Sequence, residues 1–235
     1  NDGCVIARSQ EAKKLGISMG VPVFKIKNII QKHSINTFSS NYALYGDMSS
    51  RVMSILAEKC PDIEIYSIDE CFLDLESITN DPVKWCKKIR QTIFKWVGIP
   101  VSIGIGPTKT LAKVANKIAK SDITTKGVFS LHNTNDVEID MVLQNIHIED
   151  VWGIGRQWSK MLHINKIFNA LELKKSSEIW IRKKMGITGL RTLKEIKGIP
   201  CHRLELEPIQ SKSVRCSRTF GKAVGEKEKV FDAIR

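Results

Sequence analysis

The sequence predicts an α/β chain of the α+β kind, a ferredoxin-like sheet unit followed by an all-helical half. Three observations predict it. Residues 42–106 read in order as helix, strand, strand, helix and strand, which is a βαββαβ unit without its first strand. Within that unit the stretch IYSIDECFLDL (residues 65–75) sets Asp69 and Glu70 side by side between two apolar runs. Charge is regional: through residue 150 there are 18 Lys and Arg against 17 Asp and Glu, and from residue 151 there are 19 against 8.

Each element has its own local reason. Residues 8–15 read as a helix stopped by Gly16, and residues 22–33 as a second with Pro22 in its first turn. In residues 42–60 the apolar positions Leu44, Tyr45, Met48, Val52, Ile55 and Leu56 recur at helical spacing, and Pro61 ends the run. Two short strands follow, 62–68 and 71–75. Asn80 or Asp81 before Pro82 starts the next helix, with Val83, Cys86, Ile89, Ile93, Trp96 and Val97 on one buried face. VSIGIG (101–106) is a strand, and Gly106-Pro107-Thr108 opens a helix through Lys120 with Leu111, Val114, Ala115 and Ile118 inward.

The acid pair needs a turn. In a straight strand neighbouring side chains point to opposite faces, so Asp69 and Glu70 could not share a ligand; at a hairpin tip they can. Two carboxylates there suit magnesium, which keeps several waters and binds through a few carboxylates plus substrate phosphates. Two such ions about 4 Å apart are the arrangement of nucleotidyl transfer. Adjacent acids in a turn are also common as plain solvated surface. Asp74 reads as an outward strand residue.

Composition bounds the rest. With 235 residues, 42% of them hydrophobic, the chain can bury a sizeable core divided between more than one domain. No apolar run approaches the roughly 20 residues that cross a bilayer, and the start NDGCVIARSQ has neither region of a signal peptide. Cys4, Cys60, Cys71, Cys86, Cys201 and Cys216 form no C-x-x-C pair, so a reduced, cytoplasmic setting is expected, without a disulfide framework or zinc site. A basic second half favours a polyanion by counterion release, and the same lysines also serve solubility.

At the head of that half, VWGIGRQWSKML (151–162) places Gly153-Ile154-Gly155 and Arg156 between helical segments. This reads as a helix-hairpin-helix turn, whose glycines allow close approach and whose N–H groups at the next helix start point at a phosphate. Such a contact ignores base identity. An ordinary turn with a glycine cap uses the same residues. Trp152 and Trp158 read as core packing of the helical half.

Several runs together resemble one family. NDGCVIARSQEAKKLGI, SSNYALYGDMSSRVMSIL, YSIDECFLDL, GIGPTKTLAKVANKIAK, VWGIGRQWSKML and CSRTFG are similar, in that order, to motifs of the Y-family or translesion DNA polymerases, UmuC branch. The resemblance covers nearly the whole chain. It implies fingers over 1–41, a palm over 42–128, a helix-hairpin-helix thumb over 129–207, and a linker with the start of a little finger over 208–235. It further implies that Asp69 and Glu70 bind two magnesium ions, and that Lys13 and Lys120 meet the incoming triphosphate. Cys4 and Ile6 would roof the templating base, Gly153, Ile154, Gly155 and Arg156 would hold the duplex, and Arg218 would meet a template phosphate. Without the family, Lys113, Lys117 and Lys120 read as a solvated helix face. Gln10 stands where many members carry an aromatic or other phosphate-contacting residue.

The implied activity is error-prone, template-directed addition of deoxynucleotides to a primer 3′-hydroxyl in the SOS response to DNA damage. The implied partners are primer-template DNA, deoxynucleoside triphosphate, a UmuD-type accessory subunit, the RecA filament and the sliding clamp, with no membrane. The family's first metal-binding acid and its ribonucleotide-excluding aromatic would precede Asn1, so the chain alone is expected not to extend a primer. Two other classes remain. A nucleotidyl cyclase also places acids on a ferredoxin-like hairpin, and a non-catalytic helix-hairpin-helix protein would bind duplex without regard to magnesium.

Overall fold

The computed structural model describes residues 3–207, 213 and 224–232. Backbone packing divides the chain into two units, one of Asn1–Tyr45 with Ile209–Arg235 and the other of Gly46–Pro208. The molecule is α+β, as expected. In the first unit the Ser9 side chain accepts from Ala12 N and starts α1 (Gln10–Lys14). Pro22 leads into a 3-10 turn over Val23–Ile26 that runs into α2 (Lys27–Lys32). Among the described residues of this unit Ile17 and Ile26 are buried.

In the second unit α3 (Tyr42–Lys59, entering from the first) buries Val52, Met53, Ile55 and Leu56. Its first turns do not follow the predicted stripe, because Leu44 and Tyr45 are exposed. A hairpin follows: β1 (Ile63–Ile65) pairs antiparallel with β2 (Cys71–Leu73), Ile65 opposite Cys71. The strands are shorter than predicted, and their polarity is inverted: Glu64 is buried while Ile65 and Ile68 are exposed. Then α4 (Pro82–Val97) starts on the Asp81 carboxylate, which accepts from Lys84 N, and stops at Gly98 in the left-handed region (φ 78°). Cys86, Ile89 and Ile93 are buried as expected, but Trp96 is 59% exposed. At 100° per residue Trp96 lies about 60° beyond Ile93, on the edge of the apolar stripe in the last turn.

Strand β3 (Ile103–Ile105) lies against α5 (Lys109–Ser121) and pairs in parallel with β4 (Val128–Ser130), a strand the sequence pattern did not predict. Gly104 makes the helix–strand packing possible, since a Cβ there would lie 2.0 Å from Asn116 N and 2.3 Å from Ala112 O. Among the described residues the hairpin and the β3–β4 pair form two separate sheets. A cavity of about 1040 Å³ is lined by both β2 residues (Phe72, Leu73) and β3 residues (Ile103, Ile105).

The helical half comprises α6 (Asp136–Gln144), α7 (Arg156–Ile164), α8 (Ala170–Lys174) and α9 (Glu178–Ile196), the last kinked at Gly186 (φ 67°, ψ −160°). Gly186 lies where only glycine is comfortable, which breaks α9 in two. Its core of Leu143, Ile148, Leu162, Leu173, Ile181 and Leu193 includes Leu111, Val114 and Ala115 of α5. Helix α5 thus packs into the helical core while also lying against β3. In the first unit α10 (Lys227–Asp232) completes the described helices. Among the described residues no helix is long and apolar enough to cross a membrane.

Candidate active site

The turn of the β1–β2 hairpin spans residues 66–70, closed by Tyr66 N and Ser67 N, both donating to Glu70 O at 3.0 Å. Asp69 and Glu70 thus sit at the tip, as their spacing predicts. Their side chains are held differently. Ser67 Oγ donates to Asp69 Oδ1 at 2.7 Å, whereas Glu70 Oε1 accepts from Lys113 Nζ of α5 at 2.5 Å.

Helix α5 meets this hairpin with lysines at four-residue spacing, which places them on one face. Lys109 pairs with the buried Glu64 and also donates to Arg203 O at 2.8 Å. Lys113 pairs with Glu70, and Lys117 with Asp150. Lys120 lies in the last turn, exposed, with no ion pair among the described residues. Lys113 and Lys117 thus pair with acids remote in sequence, whereas Lys120 presents its ammonium to solvent.

Aromatic packing joins the hairpin to the glycine turn. Tyr66 and Phe72 each lie 5.7 Å from the Trp152 ring, His202 lies 5.5 Å from it, and Trp152 Nε1 donates to Tyr66 Oη at 3.2 Å. Trp152 is thus a strut against the hairpin and not core of the helical half. Trp158 does pack against that core, as expected. A second tie is Glu195 of α9, fully buried, whose carboxylate accepts from Thr110 N (3.0 Å), Cys201 N (2.6 Å) and His202 N (3.1 Å). Charge-assisted bonds from N–H groups at a helix start compensate a buried carboxylate. Nothing in the sequence marked Glu195, because its partners are backbone atoms about 85 positions away in one case and beyond the helix end in the other.

The glycine turn is present: a 3-10 turn (Ile148–Asp150) precedes it, Gly153 has φ +88°, and Gly155 precedes α7 with no side chain capping the helix start. Gly155 and Arg156 are exposed. Ile154 is buried in the helical core, so its side chain is withdrawn from the surface of the turn. In the first unit Lys13 is exposed in the last turn of α1, Cys4 is exposed and bridged to Pro22, and Ile6 is 49% exposed. Arg218 lies outside the described residues.

The donor set fits a hard cation. Asp69 and Glu70 supply carboxylate oxygens at an exposed tip, and magnesium leaves its remaining positions to water and phosphate. Among the described residues no three His, Cys, Asp or Glu side chains gather to hold a metal, so the pair supplies part of a coordination sphere.

Comparison with known proteins agrees with this arrangement. The sequence profile of the impB/mucB/samB family matches residues 1–117. Protein UmuC of Salmonella typhimurium is 44% identical over 100% of this chain and 56% of its own length, so the chain spans about half of such relatives. Among solved structures, a Y-family DNA polymerase chimera built on Dbh is 26% identical with a TM-score of 0.71, covering 87% of this chain and 58% of that one. An insertion ternary complex of Dbh DNA polymerase is 25% identical with a TM-score of 0.70, covering 84% and 56%. The resemblance carried by the hairpin acids, the lysine helix and the glycine turn thus extends through the whole sequence, and the chain belongs to the impB/mucB/samB family.

Proposed function

We propose that this chain is the catalytic part of an error-prone translesion DNA polymerase that adds template-directed deoxynucleotides to a primer 3′-hydroxyl. One observation carries the reading: the hairpin presenting Asp69 and Glu70 is bolted, through Tyr66 and Trp152, to a glycine turn that opens an uncapped helix. A metal-binding tip and a phosphate-binding turn held on one body are what primer extension requires, since the reacting hydroxyl must be fixed relative to the duplex.

Two magnesium ions at the acid pair would lower the pKa of the attacking hydroxyl and neutralise the leaving pyrophosphate. The chain's own residues do the rest. Asp69 and Glu70 present oxygens. Lys120 and Lys13 stand as cations for the β- and γ-phosphates, where charge accumulates as the bond breaks. The N–H groups behind Gly155, with Arg156, take a backbone phosphate without reading bases. Cys4 and Ile6 form a small roof over the templating base, and Arg218 meets the template strand.

A further carboxylate beside the pair would complete the coordination sphere that Asp69 and Glu70 begin. The same reading places the protein in the cytoplasm during the SOS response, with a UmuD-type subunit, a RecA filament and a sliding clamp as partners. The test is primer extension by the full-length protein carrying this chain, wild type against Asp69→Ala. Loss of extension with DNA binding retained is expected, and equal extension overturns the reading. Duplex binding indifferent to both magnesium and Asp69 would indicate a non-catalytic DNA-binding protein instead.

A further inference from the structure

We propose that Lys113 is a positioning residue that acts as an internal counter-ion for Glu70, holding its carboxylate in the cation-free protein and yielding it when a divalent ion binds. The proposal rests on the metal-binding reading of Asp69 and Glu70 given above.

Three features of the site single out Lys113. First, it takes one carboxylate of the pair and leaves the other: Glu70 Oε1 accepts from Lys113 Nζ at 2.5 Å, while the partner of the Asp69 carboxylate among the described residues is the neutral Ser67 hydroxyl. A cation reaching the tip meets an uncompensated charge at Asp69 and a competed one at Glu70. Second, the neighbouring lysines of the row are committed elsewhere. Lys109 is fixed by buried Glu64 and by Arg203 O, and Lys117 by Asp150. Third, Lys113 has a second place to rest. Its Nζ lies 5.7 Å from the Tyr66 ring centroid, and Tyr66 is held in turn by the hydrogen bond from Trp152. An ammonium released by Glu70 can stay over that ring face instead of crossing to bulk water.

The exchange is local. The Glu70 backbone oxygen is locked by two N–H donors of the turn, so only the side chain swings. The pair is part-exposed, 23% at Lys113 and 37% at Glu70, so neither group is trapped by burial. The consequence is a threshold: a divalent ion must displace a unit positive charge before both carboxylates are available. Removing that charge should tighten cation binding by about tenfold, a little above the roughly fivefold that one charge about 4 Å away is worth in bulk water, because the pair is only part-exposed.

The experiment is a Mn²⁺ titration of the 235-residue chain, followed by water-proton relaxation, with circular dichroism as the check of fold. Lys113→Met is expected to bind Mn²⁺ about tenfold more tightly than wild type, and the gain should vanish in the Glu70→Gln background. Lys113→Arg should bind severalfold more weakly, because a guanidinium grips a carboxylate with two bonds. This variant decides the matter if methionine at 113 unfolds the chain. Affinity unchanged in Lys113→Arg, or unchanged or weakened in a folded Lys113→Met, overturns the proposal while leaving the metal site standing, provided Asp69→Ala abolishes Mn²⁺ binding. Absence of Mn²⁺ binding in wild type and in Lys113→Met alike overturns both the proposal and the metal-site reading of this tip.

Discussion

Trp152 Nε1 donates a hydrogen bond to Tyr66 Oη at 3.2 Å, joining the glycine turn to the acid hairpin across 86 positions of chain. The bond is one edge of a cluster in which Tyr66, Phe72 and His202 surround the indole. Two regions that the sequence places far apart are therefore set relative to each other by side-chain packing rather than by chain connection.

Trp152→Ala should destabilise the chain by about 2 kcal/mol, combining lost ring packing with a lost hydrogen bond. Trp152→Phe keeps the ring and gives up only the N–H, so its cost should stay below about 1 kcal/mol. Urea unfolding of the two variants against wild type checks the ratio. Equal costs would mean that the ring contributes nothing and the strut is not a packing device.

The elements legible in the sequence were those whose causes are local. Asp81, Pro82 and Gly98 bracket α4, Thr108 caps α5, and Asp69 and Glu70 fall in a turn, each by short-range rules. What stayed hidden depended on partners. Glu64 is buried in a strand because Lys109 neutralises it and Glu205 N donates to it at 2.8 Å, and neither partner lies within forty positions of it. Trp96 counted as core by periodicity, yet no element among the described residues covers that edge of the last turn. β4 is only Val128–Ser130, too short for alternation to register, and it exists because the edge of β3 is there to pair with. The place of the acid pair at a turn was legible, but its division between Ser67 and Lys113 was not.

Lys109→Met should cost about 3–5 kcal/mol, because it strands a buried carboxylate at Glu64. The ion pair is among the best shielded in the chain, both side chains being 10% exposed. The double variant Glu64→Gln, Lys109→Met removes the charge while keeping an acceptor for Glu205 N, and it should recover at least half of the loss. Chemical denaturation of the single and double variants gives the coupling directly. A double variant as unstable as the single one would show that Lys109 acts through its contact with the Phe72 ring instead.

Alkali should weaken the fold through its thiols. Burial, with Cys60 adding to it, pushes Cys86 from 9.0 up to about 12, and burial with Cys60 and Glu70 pushes Cys71 up to about 11. Unfolded thiols ionise near 9, so above that pH the unfolded state sheds protons that the folded state keeps. Stability is complete below pH 9 and falls as pH rises toward 11–12, by at most about 1.4 kcal/mol per pH unit for each thiol. Lysines and tyrosines titrate in the same range, so the measurement is a comparison: Cys86→Ala should flatten the decline of Tm between pH 9 and 10.5 relative to wild type. Parallel curves would remove Cys86 from the account.

Gly104→Ala tests whether the lysine helix is seated by space or by backbone conformation. The added Cβ would meet Asn116 N at 2.0 Å and Ala112 O at 2.3 Å, both backbone atoms of α5 that cannot rotate away. Gly98 is the opposite case, with φ +78° and nothing within 4 Å of a built Cβ. Alanine at 98 should cost only about 1 kcal/mol of left-handed strain. Alanine at 104 should cost about 3 kcal/mol or more, since the helix must lift from β3 to admit it. Because α5 carries Lys109, Lys113 and Lys117 to Glu64, Glu70 and Asp150, that lift would loosen all three pairs together. Thermal denaturation ranks the two variants, and a Gly104→Ala protein as stable as Gly98→Ala would mean that α5 does not rest on the bare strand.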